Sequence, residues 1–464
     1  MTQEFDLVVI GGGSGGYAAA KTAVDRGLTV AVVEEAHELG GLCILRGCMP
    51  TKALLETSNR LRAIREAHEF GITVAEPTLD LDALRNRKTK LIDAFKEYRV
   101  KGLEKGDFKL IRGTASFISP HTIKIQGQGE IIGKTFVIAT GSDERVPPIP
   151  GLSHAPFWTS DDIVQMPSVP KSVVVVGSGA VGMESAHLFQ GLGSKVTVVS
   201  RRKPLVTSVE PAVSEAMEKR CTDLGIDLVF GEGLQEVSHD DDGFTLKLSE
   251  GTILSCNQLI MATGRTPRLD GLALEKAGFE PGLRRLEIDE HSQTLVPHIF
   301  AAGDCASPLA VVHLAVIQGE AAGANVASLL KEEPLEATWD SRLDMFGIFT
   351  DPEIVQVGLT AGSAKEAGLD PVSAKYRFDD QGKGEIVGEK HGLVILTADR
   401  ATGEIIGASG MGPHIIDYAH TITVAMSQRL TVADFLKIPS YHPTLGEIWT
   451  YVAEELTDEL SGAN

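Results

Sequence analysis

Cysteine is scarce and positive charge is outnumbered. Five cysteines stand among 464 residues, at positions 43, 48, 221, 256 and 305. That odd count, with no secretory context, is a cytoplasmic pattern, in which cysteine pairs more often do chemistry or bind metal than staple a fold. A chain of this length buries cores large enough to need no staple. The 43 Lys and Arg face 63 Asp and Glu, a net charge of −20. This excludes nucleic acid and anionic membrane as general partners. No stretch approaches the ~18 uninterrupted apolar residues that suggest a membrane span. Met1 to Asp6 is short and polar and runs straight into Leu7-Val8-Val9-Ile10. No basic segment precedes a long apolar one, so no signal peptide is expected. There is no low-complexity segment. What remains is an acidic globular chain, 43% hydrophobic and 23% charged, sized for about three domains.

Residues 5–35 read as strand, tight turn, helix and strand. Phe5 to Ile10 is the first strand, Gly11-Gly12-Gly13-Ser14-Gly15-Gly16 the turn, Tyr17 to Arg26 the helix and Leu28 to Glu34 the second strand. The Val/Ala run of that second strand does not alternate with polar residues, as expected for a parallel strand covered on both faces. Residues 171–200 repeat the plan. A strand from Lys171 to Val176 meets the turn Gly177-Ser178-Gly179-Ala180-Val181-Gly182, then a helix through Phe189 and a strand from Lys195 to Ser200. One such glycine pattern is weak evidence, but two in the required context predict two dinucleotide-binding units. Pro147-Pro148-Ile149-Pro150-Gly151 reads as a connector. Beyond about residue 346 the pattern changes: Gly392 to Ala398 and Glu404 to Ser409 read as a hairpin, and Asp417 to Arg429 as a helix. The expected fold class is therefore α/β, two Rossmann-like dinucleotide-binding domains followed by a C-terminal α+β domain.

The glycines of each turn have distinct physical tasks. Gly11 and Gly177 permit the tight turn. Gly13 and Gly179 let the backbone approach a pyrophosphate. Gly16 and Gly182 let the helix pack on the strand. The pyrophosphate then meets the free N–H groups and the dipole of the helix N-terminus. The two units differ at the end of the second strand. Glu34 lies 18 residues after Gly16, and Ser200 lies 18 after Gly182. A carboxylate accepts ribose hydroxyls and repels a 2′-phosphate. Ser200 is followed by Arg201, Arg202 and Lys203, and arginine binds phosphate bidentately. The second site is therefore expected to prefer NADPH over NADH; a solvated basic turn is the other reading.

The segment Gly40-Gly41-Leu42-Cys43-Ile44-Leu45-Arg46-Gly47-Cys48-Met49-Pro50-Thr51-Lys52 carries two cysteines five positions apart. Five residues of regular helix rise about 7.5 Å, and a disulfide usually needs Cα atoms within about 7 Å. A bond here requires a distorted first turn, which Gly47 could permit. Two unpaired thiols in a helix would be the alternative. A metal site is less supported, because no second cysteine pair has suitable spacing.

At this point the chain resembles the flavin disulfide reductases, the family of dihydrolipoamide dehydrogenase, glutathione reductase and mercuric reductase. The likeness runs from about residue 5 to 455. Ala139-Thr140-Gly141-Ser142 and Ala262-Thr263-Gly264-Arg265 resemble its paired linking segments. Ile299 to Asp304 resembles its second FAD segment, Thr350-Asp351-Pro352-Glu353 the entry to its dimerisation domain, and Tyr441 to Glu447 its C-terminal catalytic segment. The resemblance implies FAD at the first site, held by Gly11, Gly13, Gly16, Glu34, Thr140, Gly141 and Asp304, with Asp304 on the ribityl chain. It implies NADP or NAD at the second, held by Gly177, Gly179, Gly182, Glu184, Ser200, Arg201, Arg202 and Gly264. It implies an FAD-binding domain in two parts, 1–150 and 276–345, a nucleotide-binding domain at 151–275 and a dimerisation domain at 346–464. Cys48 would face the flavin and Cys43 would exchange with substrate. His442, oriented by Glu447, would be the base, reaching across from the other subunit of a homodimer. Lys52 would lie near the flavin and Glu184 near the nicotinamide, unless each charge only caps a helix.

The substrate is less legible. Pro50 to Leu55 and His442 to Glu447 look like dihydrolipoamide dehydrogenase, whose substrate is a lipoyl group, free or on a carrier protein. Leu42 and Leu45 depart from the family's usual Thr and Asn, and the basic turn after Ser200 resembles glutathione and mercuric reductases. No cysteine follows Cys305, which disfavours mercuric reduction. An NADPH-dependent reductase of another disulfide therefore stands as the alternative. A non-catalytic flavoprotein subunit of a larger complex is disfavoured by the retained cysteines.

Overall fold

The computed structural model describes residues 3–462; of the polar N-terminal stretch, Met1 and Thr2 lie outside it. The chain divides into two compact units. The first takes the chain up to Thr51, with Asp82–Arg145 and Arg265–Asp340; the second takes Lys52–Leu81, Val146–Gly264 and the chain from Ser341 onward.

In the first unit, β1 (Gln3–Ile10), α1 (Ser14–Val24) and β2 (Val30–Glu34) form the expected strand–turn–helix–strand. The helix begins three residues earlier than the sequence predicts, because Ser14-Gly15-Gly16 is its first turn. Next come α2 (Leu42–Leu45), α3 (Cys48–Glu66), which runs on into residues of the second unit, and α4 (Leu81–Lys105). The sheet is completed by β3 (Lys109–Arg112), β4 (Ala115–Ser119), β5 (Thr122–Ile125) and β6 (Gly129–Ile138). Its order is β3-β2-β1-β6-β5-β4, with Ile299–Ala301 beside β6. The β3-β2-β1-β6 core is parallel, in the register Val9 opposite Val32 and Val137. These strands are buried on both faces, Leu7, Val8, Val9 and Val32 being inaccessible, which is why they read as continuous apolar runs. A helix at Val312–Leu330 packs on α1, where a Cβ on Gly319 would lie 2.2 Å from the Gly15 carbonyl oxygen.

In the second unit, β7 (Ser172–Val176), α5 (Ala180–Gly191) and β8 (Lys195–Ser200) repeat the motif. With β9 (Asp227–Phe230) and β10 (Gln258–Met261) they build a parallel sheet of order β9-β8-β7-β10. The C-terminal part is an antiparallel sheet of β11 (Met345–Ile348), β12 (Glu353–Gly358), β13 (Pro371–Arg377), β14 (Leu393–Asp399) and β15 (Ile405–Gly412), in the order β11-β12-β15-β14-β13. β14 and β15 form the hairpin expected over residues 392–409. The helix expected over Asp417 to Arg429 is instead two, Ile415–Tyr418 and His420–Ser427, joined at Ala419. The last helix, α6 (Ile448–Ser461), is anchored by the buried Trp449. No helix among the described residues is long and apolar enough to cross a membrane.

Glu353, at the start of β12, makes this sheet pH-sensitive. Burial pushes its carboxyl up to about 7, against the opposing pull of the Ile416 N–H, 3.2 Å from Oε2. Between the ordinary value of 4.5 and about 7 the folded chain holds a proton that the unfolded chain has released. Stability therefore falls as pH rises through that window. Burial also raises the Glu389 carboxyl, so one substitution should remove only part of the effect. We expect Glu353→Gln to lose less thermal stability than wild type between about pH 5 and about pH 8; equal losses in a melting series would remove Glu353 as the cause.

Candidate active site and cofactor cradles

The two glycine turns superimpose in chemistry. A Cβ on Gly11 would sit 2.3 Å from the Ala139 carbonyl oxygen, and one on Gly177 would sit 2.1 Å from that of Ala262. A Cβ on Gly16 would meet the Gly11 oxygen at 1.9 Å, and one on Gly182 the Gly177 oxygen at 2.1 Å. Gly13 and Gly179, the residues that cap the two helices, have nothing within 4 Å of where a Cβ would be, and neither helix has a side-chain cap. Each cradle is thus closed where helix and strand must touch and open where N–H groups point outward. That donor set fits a pyrophosphate.

Across the first cradle runs the redox segment, with a Cβ on Gly41 only 3.1 Å from the Gly13 Cα. Glu34 accepts the Gly12 N–H at 2.7 Å and the Ala36 N–H at 2.8 Å, one bond per carboxylate oxygen, leaving acceptor capacity on both. Asp304 accepts from the Ser142 hydroxyl at 2.6 Å, and Ser142 accepts from Arg265 Nε at 2.8 Å. Arg265 also binds the Ser142 carbonyl and the Glu144 carboxylate. The sequence names Asp304 but does not show this brace, although Ser142 and Arg265 lie in the paired linking segments. The Thr140 hydroxyl donates to the Arg268 carbonyl at 2.6 Å, so it serves the backbone, while Gly141 has open space at its Cβ position.

In the second cradle the arrangement is neutral. Ser200 is buried; its hydroxyl lies 2.8 Å from that of Ser178 and donates to the Arg202 carbonyl at 2.8 Å. Ser200 therefore shapes the turn that follows. Arg201 and Arg202 are exposed. Gly264 has a φ of 106° and open space at its Cβ position.

The helix does break between the cysteines. Cys43 lies in α2 and Cys48 opens α3, with Arg46 at φ −140° between them. The Gly47 N–H donates to the Leu42 carbonyl at 2.7 Å, and its own carbonyl accepts the Thr51 hydroxyl at 2.8 Å. A Cβ on Gly47 would press on the Leu42 oxygen at 3.1 Å and the Cys43 Cα at 3.2 Å. The departure from regular helix that a Cys43–Cys48 bond requires is present, and it falls at Gly47. Cys48 also gains the positive end of a 19-residue helix, which favours a thiolate. By contrast, burial pushes the thiol of Cys221 up to about 12 and those of Cys256 and Cys305 up to about 11. Those three are inert as nucleophiles.

One turn after Cys48 on α3, Lys52 Nζ lies 2.8 Å from both carboxylate oxygens of the buried Glu184 on α5. Glu184 also accepts the Phe349 N–H at 3.1 Å, and Lys52 lies 4.7 Å above the Phe349 ring. The two charges serve each other rather than capping helices. Near the C-terminus, His442 Nδ1 lies 2.9 Å and 3.1 Å from the two oxygens of Glu447, which also accepts the Tyr451 hydroxyl at 3.1 Å. Burial works to raise the Glu447 carboxyl, but hydrogen bonds from His442 and Tyr451 outweigh it and hold the group below its ordinary value. The His442 side chain is 68% exposed while that of Glu447 is 11% exposed: a buried acid aims an accessible imidazole.

Two dinucleotide cradles, one of them crossed by a cysteine pair, define a nucleotide-dependent oxidoreductase of thiols and disulfides. A family model described as pyridine nucleotide-disulphide oxidoreductase matches residues 5–319, and the dimerisation domain of that family matches residues 346–453. The chain belongs to the pyridine nucleotide-disulphide oxidoreductases. It is an FAD-dependent disulfide oxidoreductase that works with NAD(P). A dihydrolipoyl dehydrogenase of Haloferax volcanii is 34% identical, over 97% of this chain and 95% of its own length. A mercuric reductase of Bacillus cereus is 31% identical, over 96% of this chain and 70% of its own length. Among solved structures, LpdA of Mycobacterium tuberculosis has the same fold, with a TM-score of 0.86 at 24% identity over 98% of this chain and 100% of that one.

The cradles make separable predictions. Gly13→Val adds bulk only where a pyrophosphate would lie, so the variant should fold and lose most of its FAD absorbance. Gly179→Val should keep FAD and raise KM for the nicotinamide nucleotide at least ~10-fold, the cost of one lost charge-assisted contact. If both variants retain flavin and normal KM, the open sides of the two turns are not the binding sides.

Proposed function

We propose that this chain is a homodimeric, cytoplasmic dihydrolipoyl dehydrogenase, exchanging electrons between a lipoyl group and NADP(H) or NAD(H) through Cys43 and Cys48. The observation that carries the chemistry is the His442–Glu447 pair. Glu447 accepts the Nδ1 proton, so Nε2 holds the lone pair and serves as the base. The full-length relatives named dihydrolipoyl dehydrogenase support the lipoyl substrate and do not favour a glutathione reductase-like alternative. The exposure of His442 and the dimerisation-domain match support a base supplied across a subunit boundary.

His442 takes a proton from one thiol of the dihydrolipoyl group. The resulting thiolate attacks Cys43, and the Cys43–Cys48 bond breaks to release the Cys48 thiolate. The second substrate thiol then attacks the sulfur already joined to Cys43, its proton passing to the departing Cys43 sulfur; this closes the lipoyl disulfide and leaves Cys43 as a thiol beside the Cys48 thiolate, with the first proton on His442. The lipoyl group has lost two electrons and two protons, and the cysteine pair has gained the electrons. Bound FAD supplies the path for those two electrons to the nicotinamide. Lys52, held by Glu184 one turn along α3 from Cys48, would offset negative charge on a reduced flavin. In the second cradle, the neutral Ser200–Ser178 pair and the exposed Arg201 and Arg202 support a 2′-phosphate and hence NADP(H).

Oxidation of dihydrolipoamide, assayed with NAD⁺ and NADP⁺ side by side, tests the reading. Rapid turnover is expected, with NADP⁺ the better acceptor. Negligible turnover in protein whose flavin is still reduced by NADPH would overturn the lipoyl assignment. Cys43→Ser should abolish turnover while leaving flavin reduction intact, and His442→Ala should slow turnover by about 10²–10⁴ with FAD content unchanged.

Replacing both Arg201 and Arg202 with Ala should lower kcat/KM for NADP⁺ about 10–100-fold and leave that for NAD⁺ nearly unaltered, as expected for loss of charge-assisted phosphate contacts. A wild-type preference for NAD⁺ would remove the 2′-phosphate reading.

A further inference from the structure

Glu447 accepts a second donor, and it comes from a residue that the chemistry above does not use. Its Oε1 lies 2.9 Å from His442 Nδ1 and 3.1 Å from the Tyr451 hydroxyl. Tyr451 stands on α6 four residues beyond Glu447, the spacing that sets two side chains on one helix face. Its ring is backed by another. Tyr376 on β13 stacks on it, with centroids 5.2 Å apart and planes at 24°. Tyr376 is tied in turn, donating its hydroxyl to the Asp380 carbonyl at 3.0 Å.

This chain of contacts answers a physical need. The last torsion of a glutamate is broad, so a carboxylate with one partner turns about it at little cost. His442 is mostly exposed and cannot hold the acid by packing. A second donor on the same oxygen, carried by a stacked ring, defines the carboxylate plane. The backbone around His442 is tied by other bonds. The buried Gln381 donates Nε2 to the Thr444 carbonyl at 2.7 Å, and the Ser440 hydroxyl lies 2.8 Å from that of Thr450. Those bonds place the segment; the Tyr451 bond places the carboxylate. The charges that bear on the two phenols are those of Glu447, Glu454, Glu455 and Asp380. Burial and the bond to Glu447 raise the Tyr451 phenol. From an ordinary value of about 10 it therefore stays protonated, and a donor, throughout the physiological range.

We propose that Tyr451 is a positioning residue for proton transfer, its hydroxyl fixing the Glu447 carboxylate against His442 Nδ1 and the Tyr376 ring fixing Tyr451. This rests on the reading of His442 as the base. Tyr451 touches neither substrate nor cofactor in this role; it acts through Glu447. Without the hydroxyl the base is still present, but its acid can turn, and the imidazole spends less time with Nε2 aimed at a thiol.

Tyr451→Phe keeps the ring and its stack and removes only the donor. With dihydrolipoamide, kcat should fall about 10-fold and KM stay within about twofold, against the ~10²–10⁴ expected for removing the base itself. FAD content and flavin reduction by NADPH should match wild type. In holoenzyme carrying isotope-labelled histidine, the hydrogen-bonded Nδ1 proton is assigned by its loss in His442→Gln. That proton should exchange with water faster in Tyr451→Phe. Tyr376→Leu, which keeps the Tyr451 hydroxyl but removes the ring behind it, should show both effects in smaller measure. A wild-type kcat in Tyr451→Phe would overturn the proposal. So would a lower kcat with an unchanged Nδ1 proton, because the hydroxyl would then act elsewhere. If instead His442→Ala turns over dihydrolipoamide normally, the reading of His442 as the base fails and takes the proposal with it.

Discussion

Ala139 sets its carbonyl oxygen against the Cα of Gly11 so closely that a side chain could not begin there, and Ala262 does the same to Gly177. This contact joins two motifs that lie far apart in the chain. The glycine turn follows β1 or β7, and the linking segment follows β6 or β10, the strand paired beside it. The Ala139 N–H continues the ladder to the Ile10 carbonyl, as the Ala262 N–H does to Val176. Once those strands pair in parallel, their ends arrive together and only glycine fits between them. The turn is then forced to present its N–H groups to a ligand. Loss of this close approach would misplace the helix, the open cap and the carboxylate or hydroxyl at the next strand end together.

On that shared frame, a single position separates the two cradles. Where the first places Glu34 against the Gly12 N–H, the second places Ser200 against the Ser178 hydroxyl. A carboxylate satisfied by two backbone donors is a rigid acceptor for hydroxyl groups. A hydroxyl pair brings no charge and leaves the field to Arg201 and Arg202. The serine does this indirectly, since its own donor is committed to the Arg202 carbonyl. To the sequence comparison of positions 34 and 200 the structure adds one fact: Ser200 orders the basic turn from beneath.

Legibility followed from whether a residue's task is local. Both glycine turns, the C-terminal hairpin and the cysteine spacing follow from short-range geometry and could be read directly. The helix Val312–Leu330 was not, because Ala315, Gly319, Ala322 and Gly323 are small on several faces and give no amphipathic stripe; its close packing on α1 demands that smallness. The start of α1 was misplaced because Ser14, Gly15 and Gly16 are poor helix formers in isolation, and the packing of Gly15 against the Ala315 carbonyl makes them helical. The Arg265–Ser142–Asp304 brace and the Lys52–Glu184 pair join residues more than a hundred positions apart. Each partner has an unremarkable local sequence, and only the fold brings them together.

Thiol chemistry in this chain is controlled by what surrounds each sulfur rather than by how many sulfurs there are. Cys221, Cys256 and Cys305 are buried, and burial raises their thiols beyond useful reactivity. Cys48 takes the N-terminus of α3, where unsatisfied N–H groups favour negative charge. In the proposed mechanism the imidazole of His442 carries a proton away, and Glu447, bonded to Nδ1, fixes which nitrogen does so. A helix dipole is permanent and sets how easily a thiolate forms; an imidazole is switchable and, in the proposed mechanism, determines when protons leave. Exchange requires both kinds of control, because a thiolate held too firmly is a poor nucleophile and one held too weakly is seldom present. In the proposed mechanism the fixed field of a helix N-terminus and a proton acceptor on an exposed side chain divide those requirements.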